Sequence, residues 1–177
     1  EPVHEIFPIP QLTQPGNVES RNQLPSFLYQ QHDAEVSAGE LALPWGSVSG
    51  APLTGMIARH LGAKTPMRLV ASAKSWLGHS GVDRRSDFLP LNAPEEVQKT
   101  SPLAASMAYL SHLKSAWDQQ HPDHPLQDQD ITLTVPASFD PGARDLTAEA
   151  ARNISLSRLT LLEEPLAAVY SWVKNSG

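Results

Sequence analysis

The fold is decided by residues 130–173. They open as Asp130-Ile-Thr-Leu-Thr-Val-Pro-Ala-Ser-Phe-Asp-Pro141 and close as Leu159-Thr-Leu-Leu-Glu-Glu-Pro-Leu-Ala-Ala-Val-Tyr-Ser-Trp-Val173. Ile131, Leu133 and Val135 alternate with Thr132 and Thr134, an alternation rich in β-branched residues that predicts a strand. Pro136 has no N–H to give a sheet ladder and ends it. Asp140-Pro141 supplies an N-cap followed by a proline at the first helical position, where a missing N–H costs nothing. Ala143, Leu146, Thr147, Ala150 and Ile154 then recur at helical spacing and give that helix one apolar face. Leu159–Leu162 reads as a short buried strand, and Glu164-Pro165 opens another helix in the same manner. Strand, helix and strand over this length predict a parallel pair joined by a right-handed crossover, hence an α/β fold.

Working outward, the 177 residues suffice for one domain with a sizeable core or for two small subdomains. A net charge of -6 leaves no basic field to attract nucleic acid or an anionic membrane surface. The absence of cysteine excludes a disulfide framework and thiolate metal sites, and suits a reducing compartment. No apolar run reaches the roughly 18–20 residues of a membrane helix, and no signal peptide is visible. The chain starts at Glu1 without a methionine and stops at Gly177 just after a helix, so a larger α/β unit is expected.

From the start, Val3–Ile9 reads as an edge strand or an extended arm, and Pro15-Gly16 as a turn. Leu24–Tyr29 reads as a strand with Pro25 near its start. Residues 30–50 read as a loop or long hairpin connection docked by Trp45. Pro52–Leu61 is expected to form a short helix followed by Gly62. A second helix is expected over Pro66–Leu77, with Leu69, Val70, Ala73, Trp76 and Leu77 on one face and Gly78 at its stop. Residues 79–92 are irregular. Ser101-Pro102 starts a helix with Leu103, Met107, Leu110, Leu113 and Trp117 on one face, and residues 119–129 form a loop.

Few residues carry chemistry by themselves. There is no Walker-type glycine loop and no dinucleotide fingerprint. Gly78-His79-Ser80-Gly81 lacks the spacing of a nucleophile elbow. His121 and His124 are separated by Pro122, which forbids a shared helical face, so loop histidines are favoured over a metal site. Glu163-Glu164 before Pro165 has an ordinary explanation, acids complementing a helix N-terminus. Lys74 beside an apolar helix face is ordinarily a snorkelling side chain, and Arg144 is ordinarily solvated or paired with an acid.

Together, however, several segments resemble the nucleotide-binding domain of the seventy-kilodalton heat-shock chaperones, the DnaK type. Val135-Pro-Ala-Ser-Phe139 is similar to the family's strand-ending motif, and Leu161-Leu-Glu-Glu-Pro-Leu-Ala-Ala168 to its Glu-Pro-x-Ala-Ala motif. Leu24-Pro-Ser-Phe27, Ala73-Lys-Ser-Trp-Leu-Gly78 and the helix from Ser101-Pro102 to Lys114 follow the family's order. Ser72-Ala-Lys-Ser-Trp-Leu77 and Gly81-Val-Asp-Arg-Arg85 resemble a divergent bacterial DnaK-like branch.

This resemblance implies a ribonuclease-H/actin-like ATPase lobe, a mixed sheet with flanking helices plus a small insertion subdomain. Residues 1–177 would be a partial nucleotide-binding domain, with the insertion at about 25–100 and the core βαβ part at 101–177. It implies Lys74 and Glu164 as catalytic residues, with Glu164 also reaching Mg²⁺ through water. Pro136 and Arg144 would couple nucleotide state to a substrate domain. The implied cofactors are ATP/ADP and Mg²⁺. The implied partners of a cytoplasmic parent are unfolded polypeptide clients and co-chaperones. The family's two glycine-rich phosphate loops would lie before Glu1 and after Gly177, so this chain alone is expected to bind nucleotide poorly. Ser75 replaces a usual basic residue, and Ser155 stands where a helix-ending glycine is common. Two other readings stay open: a non-catalytic DnaK-like interaction scaffold, and a sugar kinase of the same superfamily, for which no convincing aspartate base stands out.

Overall fold

The computed structural model describes residues 3–32 and 35–176 and is a mixed α/β arrangement of small sheets and helices. Residues 3–8 run without regular structure into strand β1 (Ile9–Gln14), so of the two expectations for this segment the extended arm holds. The Pro15-Gly16 turn, with Gly16 at φ +73°, joins β1 to antiparallel β2 (Asn17–Arg21). The strand expected over Leu24–Tyr29 shrinks to β3 (Leu28–Tyr29), because Pro25 starts a turn in which its carbonyl accepts the Phe27 N–H. The 30–50 connection contains a small hairpin, β4 (Ala42–Leu43) and β5 (Gly46–Ser47). Trp45 at its turn packs on the first core cluster, as expected.

Two helix expectations need correction. Leu53 and Thr54 do not begin a helix but form β6 (Leu53–Thr54), which pairs antiparallel with β3. Gly55 follows at φ +82°, and a Cβ there would stand 2.5 Å from Leu24 Cδ1. Helix α1 (Met56–Lys64) therefore starts only at Met56 and runs through Gly62, whose missing Cβ lets Leu69 lie against it. The helix expected over Pro66–Leu77 is divided into a 3-10 turn (Pro66–Arg68), strand β7 (Leu69–Val70) and short helix α2 (Ala73–Leu77). Leu69 and Val70 satisfy helical spacing, but pairing with Tyr29 and Leu28 claims their backbone. A short apolar run cannot distinguish those outcomes by period alone.

Helix α3 (Pro102–Gln120) begins as expected, its Ser101 hydroxyl accepting the Ala104 N–H at 3.0 Å. Its inward side is broader than the expected stripe. Leu103, Met107 and Leu110 meet the second core cluster, while Ala105 and His112 are buried on other sides. β8 (Ile131–Val135) and β9 (Leu159–Glu163) pair in parallel from Ile131 with Leu159 to Val135 with Glu163. Between them, α4 (Pro141–Asn153) is capped by Asp140, whose carboxylate accepts the Ala143 N–H at 2.6 Å. Its buried face is Ala143, Leu146, Thr147, Ala150 and Ala151; the expected Ile154 is only half-buried beyond the helix end.

The α4 terminus explains an unusual residue. The Leu156 N–H bonds the Ala151 carbonyl and the Ser155 N–H bonds the Arg152 carbonyl, a reverse turn that requires a left-handed residue between helix and strand. Ser155 adopts it at φ 69°, the conformation for which glycine is favoured. Finally, α5 (Glu164–Ser176) leaves β9 without a loop, and Val169, Tyr170, Trp172 and Val173 are exposed on it. No helix among the described residues is long and apolar enough to cross a membrane.

Three apolar clusters hold these elements. The first gathers Leu12, Tyr29, Leu41, Leu53, Ile57 and Leu61; the second joins α2, α3, β8 and α4 through Leu77, Leu103, Val135, Phe139 and Leu146. The third, with Leu28, Val70, Ala73 and Leu89, bridges them. A polar pin also reaches across. The Pro10 carbonyl can only accept, so His112 Nε2 carries the proton and donates to it at 2.9 Å, leaving Nδ1 to accept from the Thr54 hydroxyl at 2.9 Å. Trp45 meets the imidazole edge-on.

Burial pushes the His112 pKa below its ordinary 6.5, against the weaker pull of the Pro10 carbonyl. The folded state thus favours neutral imidazole, and its contribution to stability is complete above the unfolded value and lost as pH falls below it. Urea midpoints at pH 7.5 and 5.5 are expected to fall further for the wild type than for His112→Phe. Equal falls would remove His112 from the account.

Candidate functional site

Lys74 is held by a helix of barely more than one turn. Ala73 and Leu77 are buried beneath α2, and Trp76 lies edge-on to Phe88 with ring centroids 5.5 Å apart. Gly78 caps α2, its N–H bonding the Lys74 carbonyl, and a Cβ at Gly78 would stand 3.0 Å from Phe139 Cε1. Glycine therefore lets the end of α2 close on the connection after β8. Lys74, Ser75, Gly78, Pro136, Ser138 and Phe139 line the resulting cleft of about 370 Å³. That volume falls at the lower end of small-molecule sites, roughly 300–1,000 Å³.

Lys74 Nζ donates to Glu164 Oε1 at 2.5 Å, joining residues 90 positions apart. Glu164 is the first residue of α5, at the end of β9, so it keeps the helix-terminal placement expected of an acid there. The side chains of Lys74 and Glu164 are 54% and 44% exposed, and a pair so exposed contributes about 0–1 kcal/mol to folding. Its geometry thus has little structural value and leaves both charged groups accessible from solvent.

The neighbouring carboxylate takes a different partner. Leu159, Leu161 and Glu163 lie on one face of β9 by strand alternation, and Leu161 packs on the cluster that contains α4. Glu163 Oε1 accepts from Arg144 Nη2 at 2.6 Å, and Arg144 Nε donates to the Phe139 carbonyl at 3.3 Å. Arg144 is in this sense the paired, not the solvated, side chain of its two ordinary readings. The four residues singled out from sequence therefore surround one region: Lys74 and Pro136 in the cleft, Glu164 on Lys74, and Arg144 across the connection behind Pro136.

The sequence did not disclose how the segment 79–92 is fastened. Arg84 forms a two-pronged pair with Asp140 at 3.0 and 2.7 Å, and its backbone carbonyl accepts the Leu103 N–H. Arg85 forms a second fork with Glu149 at 2.5 and 2.6 Å. Asp140 consequently serves Arg84 and the α4 cap together. The Arg84 fork, then the Ala143 N–H, holds the Asp140 carboxyl below its usual range. Its stabilising effect is present above the unfolded value and fades as pH falls through the lowered one. In Arg84→Ala, carboxyl NMR titration is expected to find Asp140 nearer its ordinary range, with the cap bond remaining. The basic pair Arg84-Arg85 after Asp83 was the available sequence signal, but its acidic partners lie 56 and 64 residues away.

No family model matches the sequence. Curated relatives do match it. The chaperone protein HscA homolog of Actinobacillus pleuropneumoniae serotype 5b (strain L20) is 33% identical over 125 residues, covering 63% of this chain and 20% of that protein. Chaperone protein HscA of Enterobacter sp. (strain 638) is 30% identical over 172 residues, covering 92% of this chain and 25% of its own length. The HscA homolog of Bordetella pertussis (strain Tohama I / ATCC BAA-589 / NCTC 13251) is 31% identical over 121 residues, 62% of this chain and 19% of that protein. The chain spans about a fifth to a quarter of the length of these relatives. Their similarity supports kinship with the seventy-kilodalton heat-shock chaperones.

Proposed function

We propose that this chain is part of the ATP-binding and ATP-hydrolysing domain of a DnaK-like chaperone, a lobe of the actin-like ATPase fold whose parent couples nucleotide state to the binding of unfolded polypeptide. The carrying observation is the Lys74–Glu164 pair beside the Pro136 cleft, within a chain similar to HscA chaperones. Phosphoryl transfer to water depends on positioning and charge stabilisation more than on covalent chemistry. In this reading the water oxygen bonds to the γ-phosphorus as the bond from that phosphorus to the β,γ-bridging oxygen breaks, so ADP departs. The water gives up its proton through the inorganic phosphate formed. The Lys74 ammonium faces the negative charge gathering on the transferred group, and the Glu164 carboxylate accepts a hydrogen bond from the water and orients it.

The two side chains bond to each other, so in this reading they must part to receive the phosphate and water between them. Their exposure makes that separation inexpensive. A magnesium ion, when bound, neutralises phosphate charge. Glu164 would hold such an ion through its water shell, since Mg²⁺ keeps several waters and is commonly held by one or two carboxylates together with the substrate phosphates. The same reading places the parent in the cytoplasm with polypeptide clients and co-chaperones.

The test is ATP turnover by the full-length protein with Mg²⁺, compared with its Lys74→Ala variant. Wild-type hydrolysis that collapses in the variant supports the enzyme. Equal turnover in both removes Lys74 from the chemistry, and absence of wild-type turnover favours the non-catalytic scaffold.

A further inference from the structure

We propose that Glu163 is a positioning residue for ATP turnover, acting through Arg144 on the connection from Pro136 to Phe139; this rests on the ATPase reading above. Two adjacent carboxylates close β9, yet their cations come from different elements: Arg144 of α4 for Glu163 and Lys74 of α2 for Glu164. Arg144 lies in the first turn of α4, where the helix dipole disfavours a cation. Its placement there is compensated by Glu163 on one side and by the Phe139 carbonyl on the other.

The outcome is a short mechanical chain. The Glu163 carboxylate grips the guanidinium, the guanidinium grips the Phe139 carbonyl, and Phe139 packs against Gly78 at the end of the helix that carries Lys74. Phe139 also donates its N–H to the Pro136 carbonyl at 3.1 Å, so the connection moves as a unit. Glu163 is thus tied to both halves of the pair: covalently to Glu164, and through Arg144 and Phe139 to the α2 terminus. Charge neutralisation serves the same end. Arg144 pairs with the Glu163 carboxylate as Lys74 pairs with Glu164, so each acid at the end of β9 has its own cation.

The experiment measures ATP turnover by the full-length protein carrying Glu163→Gln, Glu163→Asp, Arg144→Ala, or Glu163→Gln together with Arg144→Ala. Glu163→Gln is expected to lower kcat about 5–20-fold with KM for ATP within about twofold, the pattern of lost positioning and not lost binding. Glu163→Asp, which keeps the carboxylate, is expected to stay within about threefold of wild type, and Glu163→Gln is expected to add little to the loss in Arg144→Ala. Unchanged kcat in Glu163→Gln, or losses that simply add when Glu163→Gln is combined with Arg144→Ala, overturns the inference.

A second measurement separates this from the ATPase reading. Amide hydrogen exchange at Phe139, without nucleotide, is expected to quicken about tenfold in Glu163→Gln and to stay near wild type in Glu163→Asp. If the wild type hydrolyses no ATP, the function reading falls, and the exchange rate still decides the clamp. Unchanged exchange at Phe139 overturns it.

Discussion

Lys74→Ala is expected to lower kcat for ATP hydrolysis by the full-length protein about 10²–10³-fold, the usual effect of removing one preorganised charge-stabilising donor. KM for ATP is expected to change much less, because the cation is assigned to charge that develops during reaction and not to ground-state binding. Folding is a poor competing explanation for such a loss. Lys74 is more than half exposed, and its pair with Glu164 contributes about 0–1 kcal/mol. The variant should therefore melt close to wild type while turning over hundreds of times more slowly. Lys74→Arg retains the charge but replaces a compact ammonium with a planar fork, and an intermediate rate is expected. Glu164→Gln should reduce kcat strongly in the Lys74 background that still hydrolyses, but add little to Lys74→Ala if both hold one reacting water. Additive losses in the double variant would assign them to separate steps.

Tyr29→Ala is expected to cost about 3–5 kcal/mol, the range for truncating a large aromatic side chain in a packed interior. Tyr29 is fully buried in the first cluster, between partners on β6 and β7. Against a typical total of about 5–15 kcal/mol, that loss removes a large share of stability. The urea midpoint reads it directly. Tyr29→Phe separates packing from hydrogen bonding, since it retains the ring and loses the hydroxyl with its bond to Glu35 Oε1. Its cost is expected to be about 0.5–1.5 kcal/mol. If the two substitutions cost the same, the ring is not the anchor. The effect should also reach the cleft, because β7, which pairs with Tyr29, feeds directly into the turn before Lys74.

The second half of the chain was readable because its signals act locally. Asp140 and Ser101 cap helices that proline pre-organises, and each cap bond is present. Leu133 and Val135 alternate in a strand long enough to show its period. The first half was harder because five of its seven strands, β3 to β7, are two residues long. Leu53–Thr54 and Leu69–Val70 have no visible period, and their conformation is set by pairing with Leu28–Tyr29. Of the site, spacing alone could not bring Lys74 to Glu164; the family resemblance named both, and their contact emerged from tertiary structure. Glu163 was legible only as an acid at a helix start, since its value depends on a guanidinium 19 residues away. His112 was hidden in a helix whose expected apolar stripe ran elsewhere.

The 90-residue separation of Lys74 and Glu164 also sets an order of events on the ribosome. At roughly 5–20 residues per second, Glu164 is made about 5–18 s after Lys74. Every residue of the first apolar cluster, from Leu12 to Leu61, has by then been synthesised, so that cluster can condense while the cleft is still open. Arg85 likewise waits 64 residues for Glu149. A nascent chain halted between Arg85 and Asp140 would carry the lysine and both arginines of segment 79–92 without their acidic partners. The Lys74–Glu164 pair is in this sense a late checkpoint of synthesis: it can close only after the strand and helix that present Glu164 have been completed.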